Sequence, residues 1–274
     1  EQLVQSAIDE IKNGSFKKVV VARKERVSTQ LSAITIFKKL LKKYEDAFVY
    51  LWFHPKTGIW LGATPEVLLK TERNRLKTMA LAGTQTYRGS TNVSWGAKEV
   101  EEQQLVTNYI LKNLRNVLEP ETKIEKSEAY TSRAGNLLHI KTDISAVLGD
   151  MENLKEVISA LHPTPAVCGL PKKEALQFIL QNEHYNREYY TGFLGELNFK
   201  TEMKRKFNRR NQENQQFSAI TKTSNLMVNL RCMKLEEGKA EIFVGGGITE
   251  DSNPADEWTE TVNKAQTIKS VLFK

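Results

Sequence analysis

Two acidic pairs at helical spacing, Glu99 with Glu102 and Glu257 with Glu260, are the residues of this 274-residue chain that most invite chemistry. Each pair stands at i and i+3, so its carboxylates share one helix face, and like charges there repel by about a few tenths of a kcal/mol. A cation between them removes that cost. Two such pairs facing each other supply oxygen ligands suited to Mg²⁺, which binds through one or two carboxylates plus substrate oxygens. Taken singly, each pair is equally a solvated helix face, and Glu257 also suits a helix N-terminus electrostatically.

Lys18 opens the apolar run KVVVAR. A lysine beside a buried strand either snorkels outward or has its charged form disfavoured by burial. At the ordinary value of about 10.4, roughly one lysine in 2,500 is neutral at pH 7, so work as a base needs a depressed pKa or a nearby cation. Glu66, in LGATPEVLL, is a carboxylate in an apolar setting, either an acid with a raised pKa or an unremarkable edge-strand glutamate. Arg231 interrupts the strand pattern LMVNLRCMKL, and a half-buried guanidinium needs an anion, from the protein or from a ligand carboxylate. Gly245-Gly246-Gly247 follow an apolar strand and let backbone amides approach an anion, or else make a structural bulge.

Positioning these groups falls to elements the pattern predicts. Helices are expected through Leu3, Ala7, Ile8 and Ile11 up to a stop at Asn13-Gly14, and over 31–44, 100–118, 154–161, 173–180 and 258–273, with strands over 18–23, 48–53, 58–63, 67–72, 76–82, 137–146, 189–199, 224–235 and 240–246. In LHPTPAVCGLPK (161–172), Pro163 and Pro165 fix their own φ and bias their predecessors towards extended geometry, while Gly169 and Pro171 mark a tight turn. Strands come in runs with few βαβ alternations. That argues α+β with large antiparallel sheets, not a doubly wound parallel fold.

Composition narrows the class. Hydrophobic content of 40% and charged content of 27% are those of a globular domain. Of the net charge of +7, the stretch from Lys200 to Gln216 carries +4, so the excess is local and a solvated loop explains it better than a nucleic-acid face. The basic stretch around 200–221 reads as a hairpin insertion in a single 1–274 domain. Cys168 and Cys232 form no disulfide framework or metal spacing, which points to a reducing, cytoplasmic setting. No apolar run approaches the roughly 20 residues of a spanning helix, and a membrane partner is not expected. The chain opens abruptly in a helical pattern, which suggests that a preceding segment is missing.

The motifs KVVVAR, WLGATPEVLL, LAGTQTYRG, KEVEEQQLV, LHPTPAVCGLPK, YYTGFLGEL, LRCMKL and FVGGGITEDSNPADEWTET, in this order, resemble the chorismate-utilising enzymes related to anthranilate synthase component I. The resemblance runs from about Lys18 to Lys264 and implies an antiparallel sandwich flanked by helices, with a deep active-site cleft and an N-terminal segment that this chain lacks. It implies Mg²⁺ held by Glu102 and Glu260, with Glu99 and Glu257 close by through water. It places Gly83 and Thr84 at the ring carboxylate of chorismate, and Arg231, Gly245 and Lys264 at the enolpyruvyl carboxylate. His139, Ala166 and Val167 match positions lining the ring.

Within the family, Ala82 stands where aminodeoxychorismate synthases carry a nucleophilic lysine, and Lys18 stands where anthranilate synthases carry glutamine. A lysine there resembles the base with which isochorismate and salicylate synthases activate water, and HPTPA resembles the isochorismate wording. Gln103-Gln104 depart from the family's usual histidine or acid after Glu102. The expected activity is therefore isochorismate synthase, an isomerase using Mg²⁺ alone, with Lys18 as base and Glu66 as acid, its product entering menaquinone or siderophore synthesis. Salicylate formation is the alternative; ammonia chemistry with a glutamine amidotransferase partner and nucleic-acid binding are disfavoured. A monomer or homodimer is expected.

Overall fold

Apolar runs of period two build two sheets, and amphipathic helices cover their outer faces. A computed structural model describes residues 1–149, 154–203 and 219–273. The chain begins α1 (Gln2–Lys12), β1 (Lys18–Ser28), α2 (Ala33–Lys43), β2 (Phe48–His54), β3 (Gly58–Thr64), β4 (Val67–Glu72) and β5 (Arg75–Thr86). It continues with α3 (Ala97–Val117), β6 (Ile124–Lys126), β7 (Tyr130–Ala134), β8 (Leu137–Val147), α4 (Leu154–Leu161), β9 (Gly169–Leu170) and α5 (Lys172–Asn182). The last elements are β10 (Phe193–Met203), β11 (Ala219–Val228), β12 (Cys232–Glu236), β13 (Lys239–Ile248) and α6 (Pro254–Lys269). One sheet runs β2-β3-β12-β13-β1-β9; the other runs β10-β11-β4-β5-β8-β6, with β7 also on β8. The neighbours pair antiparallel, as in β1 with β13 and β5 with β8, so the α+β sandwich expected from the sequence is the fold observed.

Strand β1 shows why. Its odd residues Val19 and Val21 pack with Ile8 and Ile11 of α1 and Phe178 of α5, while Ala22 turns inward beside Trp60, Tyr190 and Phe243. Period two thus gives one face to the helices and the other, with Lys18 and Val20, to the space between the sheets. The opposite sheet buries Leu69, Leu76 and Ala80 against Val106, Ile110 and Leu114 of α3. Helix α6 has a defined start: Asn253 accepts from the amides of Ala255 and Asp256, and Pro254 occupies its first turn. That cap sets where Glu257 and Glu260 stand.

Three expectations need correcting. The predicted strand 224–235 is two strands in different sheets: β11 ends at Val228 and β12 begins at Cys232. Arg231 sits at the break with φ 48°, not inside a strand. Alternation alone cannot show such a switch, because the pattern continues across it. The strand expected over 76–82 does not end there but runs on as β5 to Thr86 through a bulge, where the register against β8 shifts between Ala82 and Gln85 and Gly83 takes φ 68°. The predicted turn at Gly169 is the short strand β9, with Lys18 opposite Leu170 and Val19 opposite Gly169. Strands β10 and β11 form the arms of the predicted basic hairpin, and its stretch 204–218 lies outside the described residues.

Gly169 has no substitute. Its φ is 153°, and a Cβ there would lie 2.3 Å from the Lys18 carbonyl oxygen and 2.5 Å from Ala175 Cβ. Gly169→Ala is expected to cost about 2–3 kcal/mol through overpacking and backbone strain. Chemical denaturation measures this; a loss under about 0.5 kcal/mol, the ordinary scale of neutral surface changes, contradicts the packing described.

Candidate active site

A cleft of about 840 Å³, including its open mouth, lies between the sheets. Val20 of β1 and Gly245 and Gly247 of β13 form one wall, with Ala82, Gly83 and Thr84 of β5 and His139 of β8 opposite. Helices α3 and α6 contribute Glu102, Glu260 and Lys264, and the proline loop contributes Ala166 and Val167. Glu66 enters from the link between β3 and β4, and Arg231 from the break between β11 and β12. The volume and the mix of apolar wall with few polar groups suit a small-molecule site.

Each carboxylate on the helix side leans on a lysine. Lys18, with no exposed surface, places Nζ 2.8 Å from Glu102 Oε1; the approach is too bent for a well-formed hydrogen bond, so the contact is electrostatic. Lys98 bonds Glu257 Oε1, which also accepts from Ser252 Oγ at 2.7 Å. Lys264 Nζ lies 2.5 Å from Glu260 Oε1 and donates to the Gly245 carbonyl at 3.1 Å. Burial opposes ionisation of Glu102, but the Lys18, Lys264 and Lys98 charges outweigh it and hold its carboxyl below the ordinary range. Glu257 goes the other way: burial, helped by the Glu260 charge, raises it against the Lys98 bond.

The opposite wall carries a neutral histidine. Burial and the Arg231 charge depress His139 well below its ordinary value, against the bond to Gly83. Neutral imidazole has one N–H. Arg231 Nη2 must donate to Nε2, so the proton sits on Nδ1, 2.7 Å from the Gly83 carbonyl it donates to. Arg231 also donates to the Ala134 carbonyl at 3.1 Å, and burial pushes its pKa down to about 10 despite Tyr44 and Glu66. Glu66 is 5% exposed, and desolvation raises it to about 7, against the pull of Lys18, Arg231 and Lys264. A carboxyl at that value is part protonated at neutrality.

The structure brings most of the predicted residues to this cleft: Glu66, Gly83, Thr84, Glu102, His139, Ala166, Val167, Arg231, Gly245, Glu260 and Lys264 all line it. Lys18, Glu99 and Glu257 do not. Lys18 lies behind Glu102, and Glu257 is buried beneath the glycine run, with Oε2 facing Gly246. Glu99 turns back towards Gly96 at the start of α3, where a Cβ would meet its Oε2 at 2.6 Å. The sequence reading missed Val20 and Tyr190, both on the cleft wall. Period two from Lys18 marks Val20; nothing local marks Tyr190, whose hydroxyl is 3.1 Å from where a Gly245 Cβ would stand.

The residues present fit a hard divalent cation. Among the described residues no three acidic, histidine or cysteine side chains gather at ligand spacing, and lysines stand against the carboxylates. Yet Glu257 Oε2 is a buried carboxylate oxygen with no partner, a costly state that a cation relieves. Gly247 keeps Glu102 Oε1 clear, since a Cβ would lie 2.4 Å from it. Carboxylate oxygens are the donors Mg²⁺ takes.

The chain matches the family described as chorismate binding enzyme over residues 1–203, and a second family of the same description over 218–270. It is 30% identical to the salicylate biosynthesis isochorismate synthase of Pseudomonas aeruginosa, covering 99% of this chain and 54% of that protein. It is 27% identical to isochorismate synthase MenF of Haemophilus influenzae, covering 98% of this chain and 59% of that one. The chain thus spans a little over half the length of these relatives. The solved structure of MenF, the menaquinone-specific isochorismate synthase from Escherichia coli, superposes with a TM-score of 0.81 at 24% identity, over 99% of this chain and 60% of that one, and so shares its fold. With the sandwich, the cleft and the matched motifs in place, the chain belongs to the chorismate-binding enzyme family.

Proposed function

We propose that this chain converts chorismate to isochorismate in the cleft between its sheets. The observation that carries the reading is a buried carboxyl at about 7 on Glu66 in the cleft, with a buried lysine on β1 behind Glu102, while Ala82 leaves no nucleophile in the β5 bulge. Relatives named isochorismate synthase support the same reaction class. Glu102 and Glu260, with Glu257 behind, would hold magnesium, which would supply positive charge for the ring carboxylate.

The substrate's second carboxylate faces Arg231, Lys264 and the Gly245 amide, where two cations and a backbone donor meet. Val20, Ala166 and Val167 pack on the ring and exclude water from its face. Neutral His139 fixes the Arg231 fork and adds no charge. Lys18 is the base that takes a proton from the water that attacks C2. Both ring double bonds shift, the C4–oxygen bond breaks, and Glu66 gives its proton to the leaving hydroxyl. Water is consumed and water is released, so the reaction is an isomerisation.

Incubation with chorismate and Mg²⁺, followed by chromatography, is expected to give isochorismate; anthranilate formation with ammonia, or no turnover, refutes the proposal. Salicylate with pyruvate would assign the lyase branch instead. Lys18→Ala is expected to lower kcat by about a hundredfold or more, the scale of a lost general base, with chorismate binding in the presence of Mg²⁺ largely kept in calorimetry. Near-normal turnover removes Lys18 from the base role.

Glu66 gives a second prediction, on stability. Its folded value near 7 lies above the unfolded carboxylate value, so the folded state binds the extra proton. Its contribution is fully present below about pH 4.5 and is lost as pH rises through 7. Glu66→Gln is expected to equal the parent near pH 4.5 and exceed it above pH 8 by on the order of 2–3 kcal/mol in urea denaturation. Equal stability at both pH values contradicts the raised value.

A further inference from the structure

Strand β1 is bonded along one edge to β13 from Val19 to Ser28, but along the other only to β9, at Lys18 and Val19. Past that point no strand among the described residues covers the edge. Two side chains do. Val20 N–H donates to the Cys168 carbonyl at 2.7 Å, and the Val20 carbonyl accepts from Arg187 Nη2 at 2.7 Å. Ala22 N–H donates to Glu183 Oε1 at 2.7 Å. Arg187 Nε reaches Glu183 Oε2 at 2.7 Å, and Arg187 Nη2 also bonds Glu183 Oε1. A donor and an acceptor, locked together as an ion pair, thus stand where a neighbouring strand would present its backbone. The Arg187 and Glu183 side chains are 14% and 2% exposed, so the pair is largely buried.

The same guanidinium reaches the proline loop, where Arg187 Nη1 donates to the Val167 carbonyl at 3.2 Å. Tyr190 N–H donates to the Arg187 carbonyl at 2.9 Å, and the Arg187 guanidinium lies 5.9 Å from the Tyr190 ring centroid. Val20, Val167 and Tyr190 belong to three separate segments, and all three line the cleft. Neither Glu183 nor Arg187 does.

We propose that Glu183 and Arg187 are positioning residues: their ion pair sets the spacing of Val20, Val167 and Tyr190, and with it the shape of the wall that receives the substrate ring. The substrate named rests on the proposed isochorismate synthase reading; the edge-capping role does not. Lys18 is held separately, by the β9 ladder and by the Lys17 N–H to Leu170 carbonyl bond at 2.7 Å. Loss of the pair should therefore loosen the binding wall and leave the base in place. A lysine at 187 keeps the charge but lacks the planar fork that serves three acceptors at once.

The test combines steady-state kinetics with amide exchange. Arg187→Lys is expected to raise KM for chorismate about tenfold while kcat stays within about threefold, a loss of binding shared by ground and transition states. Glu183→Gln, which keeps an acceptor for Ala22 but not the charge, is expected to fall between it and the parent, and serves alone if Arg187→Lys does not fold. In both variants the Ala22 amide should exchange faster, with the amides of α2 unchanged. A folded variant with unchanged KM, a fall in kcat alone, or unchanged Ala22 exchange overturns the proposal. If the parent itself does not turn over chorismate, the functional reading fails and the Ala22 exchange decides the positioning role by itself.

Discussion

Burying the Lys18 ammonium is the constraint on which the site depends. An unpaired charge in a protein interior costs several kcal/mol, so a lysine with no exposed surface commits the fold to bringing an anion to it. That anion is Glu102, which ties the first sheet to α3 of the second layer. The contact dictates what lies between them. At Gly247 a Cβ would fall 2.4 Å from Glu102 Oε1 and 3.0 Å from Lys18 Cε, so only glycine lets the pair meet. At Gly169 a Cβ would strike the Lys18 carbonyl, so the proline loop can close on β1 only through a glycine. The ion pair thus explains the glycine at 247, and the backbone that carries Lys18 explains the glycine at 169.

Around it, environment sorts chemically identical groups into different tasks. Glu66 and Glu102 are both buried glutamates in one cleft. Glu102 touches one lysine and feels two more, which keeps it ionised; Glu66 meets only distant cations, so desolvation prevails and its proton is retained to about pH 7. His139, which in another setting would titrate near neutrality, is held neutral by burial and Arg231 and serves as an acceptor. Positive charge is thereby concentrated on Arg231 and Lys264, where the proposed dianionic substrate needs it.

Much of this was legible in the sequence, and the reasons are physical. Period two in KVVVAR and the helical spacing of the acidic pairs are local codes, readable wherever they occur. The family motifs then joined segments that local codes cannot connect. What stayed hidden depended on tertiary register. The β11–β12 break continues an unbroken alternation, and only the sheet assignment shows that Arg231 stands at a crossing between layers. Gly169-Leu170 has turn composition yet pairs as a strand, because Lys18 lies opposite. Glu183 and Arg187 look like an ordinary i,i+4 surface pair until the open edge of β1 is seen beneath them.

The central claim is that water, activated beside β1, enters at C2 while Glu66 releases the C4 hydroxyl on the far side of one ring. Turnover of chorismate in heavy-oxygen water tests it most directly, with the product read by mass spectrometry. The account predicts isochorismate carrying one solvent oxygen at C2 and none elsewhere in the ring. Product that keeps the original hydroxyl oxygen, or a labelled product formed equally well by the Lys18→Ala and Glu66→Gln variants, contradicts it.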